Sequence, residues 1–296
     1  MKQFFGKSLL NKLLALITLM FLFSCSLNQI DRTAGSSKDI FREESLLRYN
    51  SASIKQLTNS SDPKLAALAL CHQDQVDQGL AKLKESYHKL KLSSDYWNKI
   101  GTCYYIDKQF SKASFYFQHA LSLTKKNAIK AFSLNNLGVV LLRQRHYDQS
   151  FEMFSKAMKF NPRLLTPRFN LAQLHIQFGQ IQEAKKILSK LYEMNNQDID
   201  VIASWAAVLL IDQKYSEAIE LYQQIDEENI SRSDIAGFYA LALYKNGEYK
   251  KAKEILEEQQ VSTEEAFYKL NRRLSSKIKS AIKSQEDGIA VDPEEI

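Results

Sequence analysis

Three residue types in this chain could do chemistry unaided: cysteine thiols, histidine imidazoles and carboxylates. The cysteines are Cys25, Cys71 and Cys103; the histidines are His72, His88, His119, His146 and His175. A metal centre needs several such ligands converging, and a nucleophile needs a base beside it. Neither spacing occurs. Cys71 and His72 are adjacent, but neighbours on a helix point about 100° apart and chelate poorly. There is no Cys-x-x-Cys pair, His-Glu-x-x-His, Gly-x-Ser-x-Gly or glycine-rich phosphate loop. The sequence therefore implies no catalytic residue, no metal site and no cofactor. Cys25 stands apart, at the end of an apolar run, where its thiol is a candidate for covalent modification.

The residues ahead of Cys25 say what modification to expect. Lys2, Lys7 and Lys12 make a basic start without acids, and Leu13 to Phe23 is almost unbroken apolar chain. A basic stretch followed by a short apolar one is a secretory signal, and this run is shorter than the roughly 20 residues that span a bilayer. It closes on Leu22-Phe23-Ser24-Cys25. This resembles a bacterial lipobox, with Phe23 where a smaller residue is commoner. The resemblance implies cleavage after residue 24 and acylation of Cys25, whose acyl chains together hold a membrane. Ser26 stands where an Asp would imply retention in the inner membrane, so the expected location is the outer membrane, periplasmic face. Loss of the signal would lower Lys+Arg from 40 to 37 against 34 acids. That balance is too weak to imply nucleic acid.

Elements to position other sites follow from composition and periodicity. The 296 residues include only 9 Gly and 4 Pro, which favours long helices over a loop-rich β fold. Leu134-Asn135-Asn136-Leu137-Gly138, Arg168-Phe169-Asn170-Leu171-Ala172, Ile202-Ala203-Ser204-Trp205-Ala206 and Ala236-Gly237-Phe238-Tyr239-Ala240 each begin 34 residues after the last. Small residues recur at Gly138, Ala172, Ala206 and Ala240, then at Ser150, Ala184, Ala218 and Ala252. Large ones recur at Phe154, Leu188, Tyr222 and Leu256. An upstream unit at 94–127 carries Trp97, Gly101, Tyr104, Phe110, Ala113, Phe117 and Ala120, and a weaker one lies at 60–93. Ala128 to Lys130 are three extra residues between units.

This pattern resembles the tetratricopeptide repeat family, whose period is 34. The resemblance implies an all-α fold: a right-handed superhelix of about six helical hairpins, at 60–93, 94–127, 131–164, 165–198, 199–232 and 233–266. Each hairpin buries its apolar face only against a neighbour. Residues 267–284 read as a capping helix with a basic outer face, solvated or facing anionic lipid or an acidic partner. Residues 285–296 read as a disordered acidic tail, 25–38 as a flexible tether and 39–59 as N-terminal capping helices. Cys71 and Cys103 fall on neighbouring first helices two positions out of register. That points to buried thiols rather than a bridge, because a disulfide needs Cα atoms within about 7 Å.

The family also implies where a partner binds. Its ligand-facing positions on the first helices correspond here to Asn98, Thr102, Tyr105, Phe132, Asn135, Asn136, Val139, Arg143, Phe169, Asn170, Gln173 and Gln177. Amides would bond a peptide backbone and aromatics would take its apolar side chains; the alternative for several of them is packing against neighbouring helices. A carboxylate clamp of the cytosolic kind is not matched, since Leu68, Val139 and Ser204 stand at its positions. The expected function is a non-catalytic scaffold, anchored by lipid, for a protein or peptide partner. Its outline is similar to the lipoproteins that assist type IV pilus secretins. The alternative is an envelope enzyme or its adaptor, such as a lytic transglycosylase, which would need a catalytic Glu in a separate domain.

Overall fold

The computed structural model describes residues 60–259 and 265–291. The signal, Cys25, the tether, the segment 39–59 and the last residues of the tail lie outside that range. The described residues form fifteen helices and no strand. They divide into two compact units, the boundary falling between Leu174 and His175.

The first unit holds α1 (Pro63–His72), α2 (Val76–Glu85), the single turn α3 (Tyr87–Leu90), α4 (Ser94–Ile106), α5 (Phe110–Ser122), α6 (Asn127–Arg143), α7 (Tyr147–Phe160) and most of α8 (Leu165–Gln177). α1 pairs with α2, α4 with α5 and α6 with α7, and each hairpin packs on the next in chain order. The second unit holds α9 (Ile181–Met194), α10 (Ile199–Ile211), α11 (Tyr215–Tyr222), the single turn α12 (Glu227–Ile230), α13 (Ser233–Lys245), α14 (Tyr249–Glu257) and α15 (Glu265–Glu286). Here α10 pairs with α11 and α13 with α14, and α15 covers both α13 and α14. The predicted capping helix is present, longer than expected by two residues at each end. The three extra residues make no linker; they are the first turn of α6, extending it to 17 residues.

Small side chains set how closely paired helices approach. A Cβ built on Gly101 would lie 2.6 Å from the Phe117 ring, and one on Gly138 would lie 2.6 Å from Phe154. Both rings are fully buried, so each aromatic occupies the space the missing Cβ leaves. Ser150 stands where other units have Ala, and its hydroxyl donates to the Gly138 carbonyl at 2.7 Å, so the polar atom is satisfied inside the seam.

One turn geometry closes every first helix. Left-handed residues occur at Asp74, Lys108, Arg145, Gly179, Gln213 and Gly247. Their spacing is the repeat period, lengthened once by the insertion in α6. In each case the next residue's N–H reaches back five residues to a carbonyl, as in Gln109 to Tyr104 at 2.9 Å and Lys214 to Leu209 at 2.9 Å, the pattern that satisfies a helix's last carbonyls. Only two of the six are glycine, so the other four hold a conformation that costs an L side chain about 1 kcal/mol.

The expectation of free thiols at Cys71 and Cys103 is corrected: they form a disulfide, with Cα atoms 5.3 Å apart. A two-residue offset amounts to only about 3 Å along a helix axis, and helices lying side by side interdigitate on either side of equivalent positions. The same separation of 32 residues joins Asp200 to Arg232. Gly79 makes the room, since a Cβ there would lie 2.4 Å from the Cys71 sulfur.

Candidate partner-binding surface

The first helices of the first unit, α4, α6 and α8, carry nearly all the residues the sequence assigned to a ligand groove. Most are not open. Asn98, Thr102, Tyr105, Phe132, Asn135, Asn136, Val139 and Asn170 are buried, with Asn135, Asn136 and Asn170 each 1% exposed. Arg143, Phe169 and Gln173 are half-buried. Gln177 is also half-buried but lies past the boundary, in the second unit.

The buried amides stitch one first helix to the next. The Ser133 hydroxyl donates to Asn98 Oδ1 at 3.1 Å, joining α6 to α4. Asn170 Nδ2 donates to Asn135 Oδ1 at 2.9 Å, joining α8 to α6, and Asn135 Nδ2 in turn donates to Asn136 Oδ1 at 3.2 Å. Arg143 Nε donates to the Tyr105 hydroxyl at 3.0 Å. Thr102 turns inward to the Asn98 carbonyl at 3.0 Å. Sequence reasoning placed these side chains on the correct helices. It could not show that adjacent helices approach closely enough for the amides to satisfy one another.

Asn170 ends this chain with an acceptor to spare. Its Oδ1 is buried and has no hydrogen-bond partner among the described residues. An unmade bond at a buried amide costs about 1–3 kcal/mol, so a donor arriving there gains more than it would on open surface. On the same helix Phe169 and Gln173, one and three residues away, are half-buried and supply one apolar and one polar group. That combination suits an extended chain, whose N–H groups donate while its side chains seek an aromatic surface.

Other candidates resolve into packing. No group of three metal-ligating side chains occurs among the described residues. Trp97 stacks on Tyr116, with ring centroids 5.5 Å apart, and Tyr116 on Tyr104 at 5.2 Å. The indole N–H donates to the Lys91 carbonyl at 2.7 Å. This aromatic column locks α4 to α5.

The second unit carries a buried ion cluster that no repeat motif announces. Arg232 donates to Asp234 at 2.7 Å and to Asp200 at 3.3 Å, with its side chain 5% exposed. Burial alone would disfavour the charged guanidinium; the carboxylates of Asp234 and Asp200 outweigh it and raise the Arg232 pKa further. A similar cluster in the first unit joins Asp95 to Lys99 at 3.1 Å and to Lys64. Burial pushes the Asp95 carboxyl up, but Lys99 and Lys64 overcome it and hold the group below its ordinary pKa. Both clusters sit at the first turns of first helices and tie consecutive repeats together.

Comparison with known proteins agrees with this layout. Family profiles described as tetratricopeptide repeat match residues 141–204 and 209–262, and a second of the same description matches 94–127; together they span just over half the chain. Among curated relatives, the uncharacterised protein ycf37 of Cyanophora paradoxa is 24% identical over 142 residues, which is 47% of this chain and 72% of that protein. Among solved structures, the APC/C hetero-tetramer Cut9-Hcn1 superposes with a TM-score of 0.59 at 15% identity, over 83% of this chain and 48% of that one. This chain thus spans about half that relative's length. A repeat protein from Parabacteroides merdae superposes with a TM-score of 0.54 at 16% identity, over 79% of this chain and 89% of that one.

Proposed function

The chain belongs to the tetratricopeptide repeat family, and from that premise we propose that it is a lipid-anchored, non-catalytic scaffold of the bacterial envelope. It holds an extended segment of a protein partner along α4, α6 and α8. The observation that carries this reading is the amide chain ending at Asn170, whose buried acceptor is left unmatched on the helix that carries half-buried Phe169 and Gln173. A stack needing only stability would be served better by apolar side chains there.

Export and anchoring rest on the lipobox-like run ending at Cys25. Export is supported from elsewhere by the Cys71–Cys103 disulfide, since such bonds persist in oxidising compartments and are rare in reducing ones. The proposed location is the outer membrane, periplasmic face. A narrower form is assistance to an envelope assembly, such as the secretin ring of a type IV pilus. Its readout is the fraction of assembled secretin in cells lacking the chain.

The groove is tested by a photo-crosslinking residue placed at Gln173, compared with one at exposed Lys156 in α7. A discrete adduct from position 173 alone, lost when Asn170 is changed to Leu, is the expected outcome. Equal adducts from both positions, or an adduct indifferent to Asn170→Leu, would remove the groove assignment. The anchor is tested separately by the mass of the N-terminal peptide: an unmodified Cys25 would end that half of the proposal.

A further inference from the structure

The two faces of α15 differ in character. Leu270, Leu274, Ile278 and Ala281 are buried, and the helix packs on α13 and α14. Gly237 in α13 permits this contact, because a Cβ there would lie 2.3 Å from Asn271 Oδ1. On the outer side Lys269, Arg272, Arg273, Lys277, Lys279 and Lys283 are all exposed. At about 100° per residue they fall within a sector of roughly 160° opposite the buried stripe. Between Glu265 and Glu286 the sequence holds no Asp or Glu. The strip is therefore of one sign for about 21 Å, at 1.5 Å per residue.

We propose that this strip is a docking surface for a membrane bearing anionic phospholipid headgroups, a contact separate from any acyl chain on Cys25. The cations match an anionic surface in sign, and shape selects among the anions. A protein partner is gripped by a few aromatic or apolar anchors seated in pockets, and lysine is depleted at such interfaces. The outer sector of α15 offers cations interspersed with Ser276 and Ser280. The recess along one edge, where Arg272, Ser276 and Lys279 face Leu256, Glu257 and Gln259, is lined chiefly by polar and charged side chains. Long, exposed cationic side chains suit a flat, fluid array of phosphates, where each cation finds its own. Tyr268, exposed at the edge of the strip, is a residue type enriched at headgroup level.

The test uses flotation of the full chain with vesicles of phosphatidylcholine alone and with added phosphatidylglycerol. Insertion of residues 1–25 would contribute to both vesicles, so the readout is the ratio between them. Each cation near an anionic surface contributes about fivefold. Arg273→Gln/Lys279→Gln/Lys283→Gln should therefore reduce the anionic preference about a hundredfold. Raising salt to about 0.5 M should erase it, because the screening length then shrinks to a few Å. The control Lys159→Gln/Lys186→Gln/Lys190→Gln removes equal charge from exposed positions on α7 and α9 and should change the ratio far less. Equal losses in the two triple variants, no preference for anionic vesicles, or binding to polyglutamate in place of vesicles would each overturn the proposal. None of these outcomes bears on the Gln173 crosslink, so this surface and the groove fail independently.

Discussion

The two units use one architecture with opposite seams between their first helices. In the first unit the fifth and sixth repeat positions include Asn98, Asn135, Asn136 and Asn170, alongside Lys64, Leu65, Lys99 and Phe169. In the second they carry Ala203, Ser204, Gly237 and Phe238. An apolar seam needs only matched volume, whereas an amide seam needs donors and acceptors in register. The first unit meets that demand for Asn98, Asn135 and Asn136 and leaves Asn170 Oδ1 over. The second unit buries a charge between its first helices, Arg232 with Asp200 and Asp234. It also buries Ser204, Asn229 and Asn271, of which Asn271 Oδ1 has no hydrogen-bond partner among the described residues. The difference separates two kinds of tie: amides that satisfy one another between consecutive first helices, and an ion cluster that joins repeats through paired charges.

The sharpest way to break this comparison is at Arg232. Removing one member of a buried ion cluster leaves the others uncompensated and costs about 3–5 kcal/mol. Arg232→Ala is expected to lower the denaturant midpoint accordingly. Hydrogen exchange should speed up in α10, α11 and α13 before it does in α4 to α7. Uniform acceleration across both units would mean the cluster is not a local tie.

The corresponding tie in the first unit is covalent. The disulfide closes a loop between residues 71 and 103, and loops of that size are stabilised by about 3–4 kcal/mol in the chain-entropy account, often less in practice. Cys71→Ala/Cys103→Ala should destabilise α1 and α2 by about 2–4 kcal/mol, read as loss of amide protection there. Full protection in the variant would show that the small core around Ala67, Leu83 and Tyr96 holds this hairpin alone.

Next to that bond, His72 gives the first unit a pH dependence. Burial lowers its pKa from the ordinary 6.5 to about 4. Between those values the unfolded chain binds the proton and the folded one does not, so stability is full above about pH 6.5 and falls as pH drops toward 4. The expected loss across that window is about 3 kcal/mol. His72→Gln should flatten the profile of urea midpoint against pH between 4 and 6.5. An unchanged slope would show that His72 does not carry the acid sensitivity of this window; Asp95, whose pKa is held below its ordinary 3.8, loses its contribution only at lower pH.

Sequence spacing made the hairpins legible because close approach forces small and bulky residues to fixed positions, as Gly101 under Phe117 and Gly138 under Phe154 illustrate. It also placed the candidate residues on the correct helices. It could not rank their burial, which depends on how far one first helix is staggered against the next. The same stagger hid the disulfide and the Asp200–Arg232 contact, both displaced from equivalent repeat positions. Contacts between repeats are set by axial offset, and a period of 34 says nothing about that offset.

The smallest expected effect concerns the turns both units share. Each first helix ends in a left-handed residue, which is glycine at 179 and 247 but Asp74, Lys108, Arg145 and Gln213 elsewhere. An L side chain pays for that conformation, while glycine adopts it freely at some entropic cost in the unfolded chain. The balance should favour glycine by about 0.5–1 kcal/mol at each site. Arg145→Gly and Gln213→Gly should thus raise the denaturant midpoint by similar amounts, one in each unit, and Gly247→Ala should lower it by about 1 kcal/mol. Gly247 is the cleaner probe, since a Cβ there meets nothing within 4 Å and any loss comes from the backbone alone. If Gln213→Gly stabilises and Arg145→Gly does not, the arginine side chain is making a contact that offsets its backbone strain. The turns would then differ between the units as the seams do.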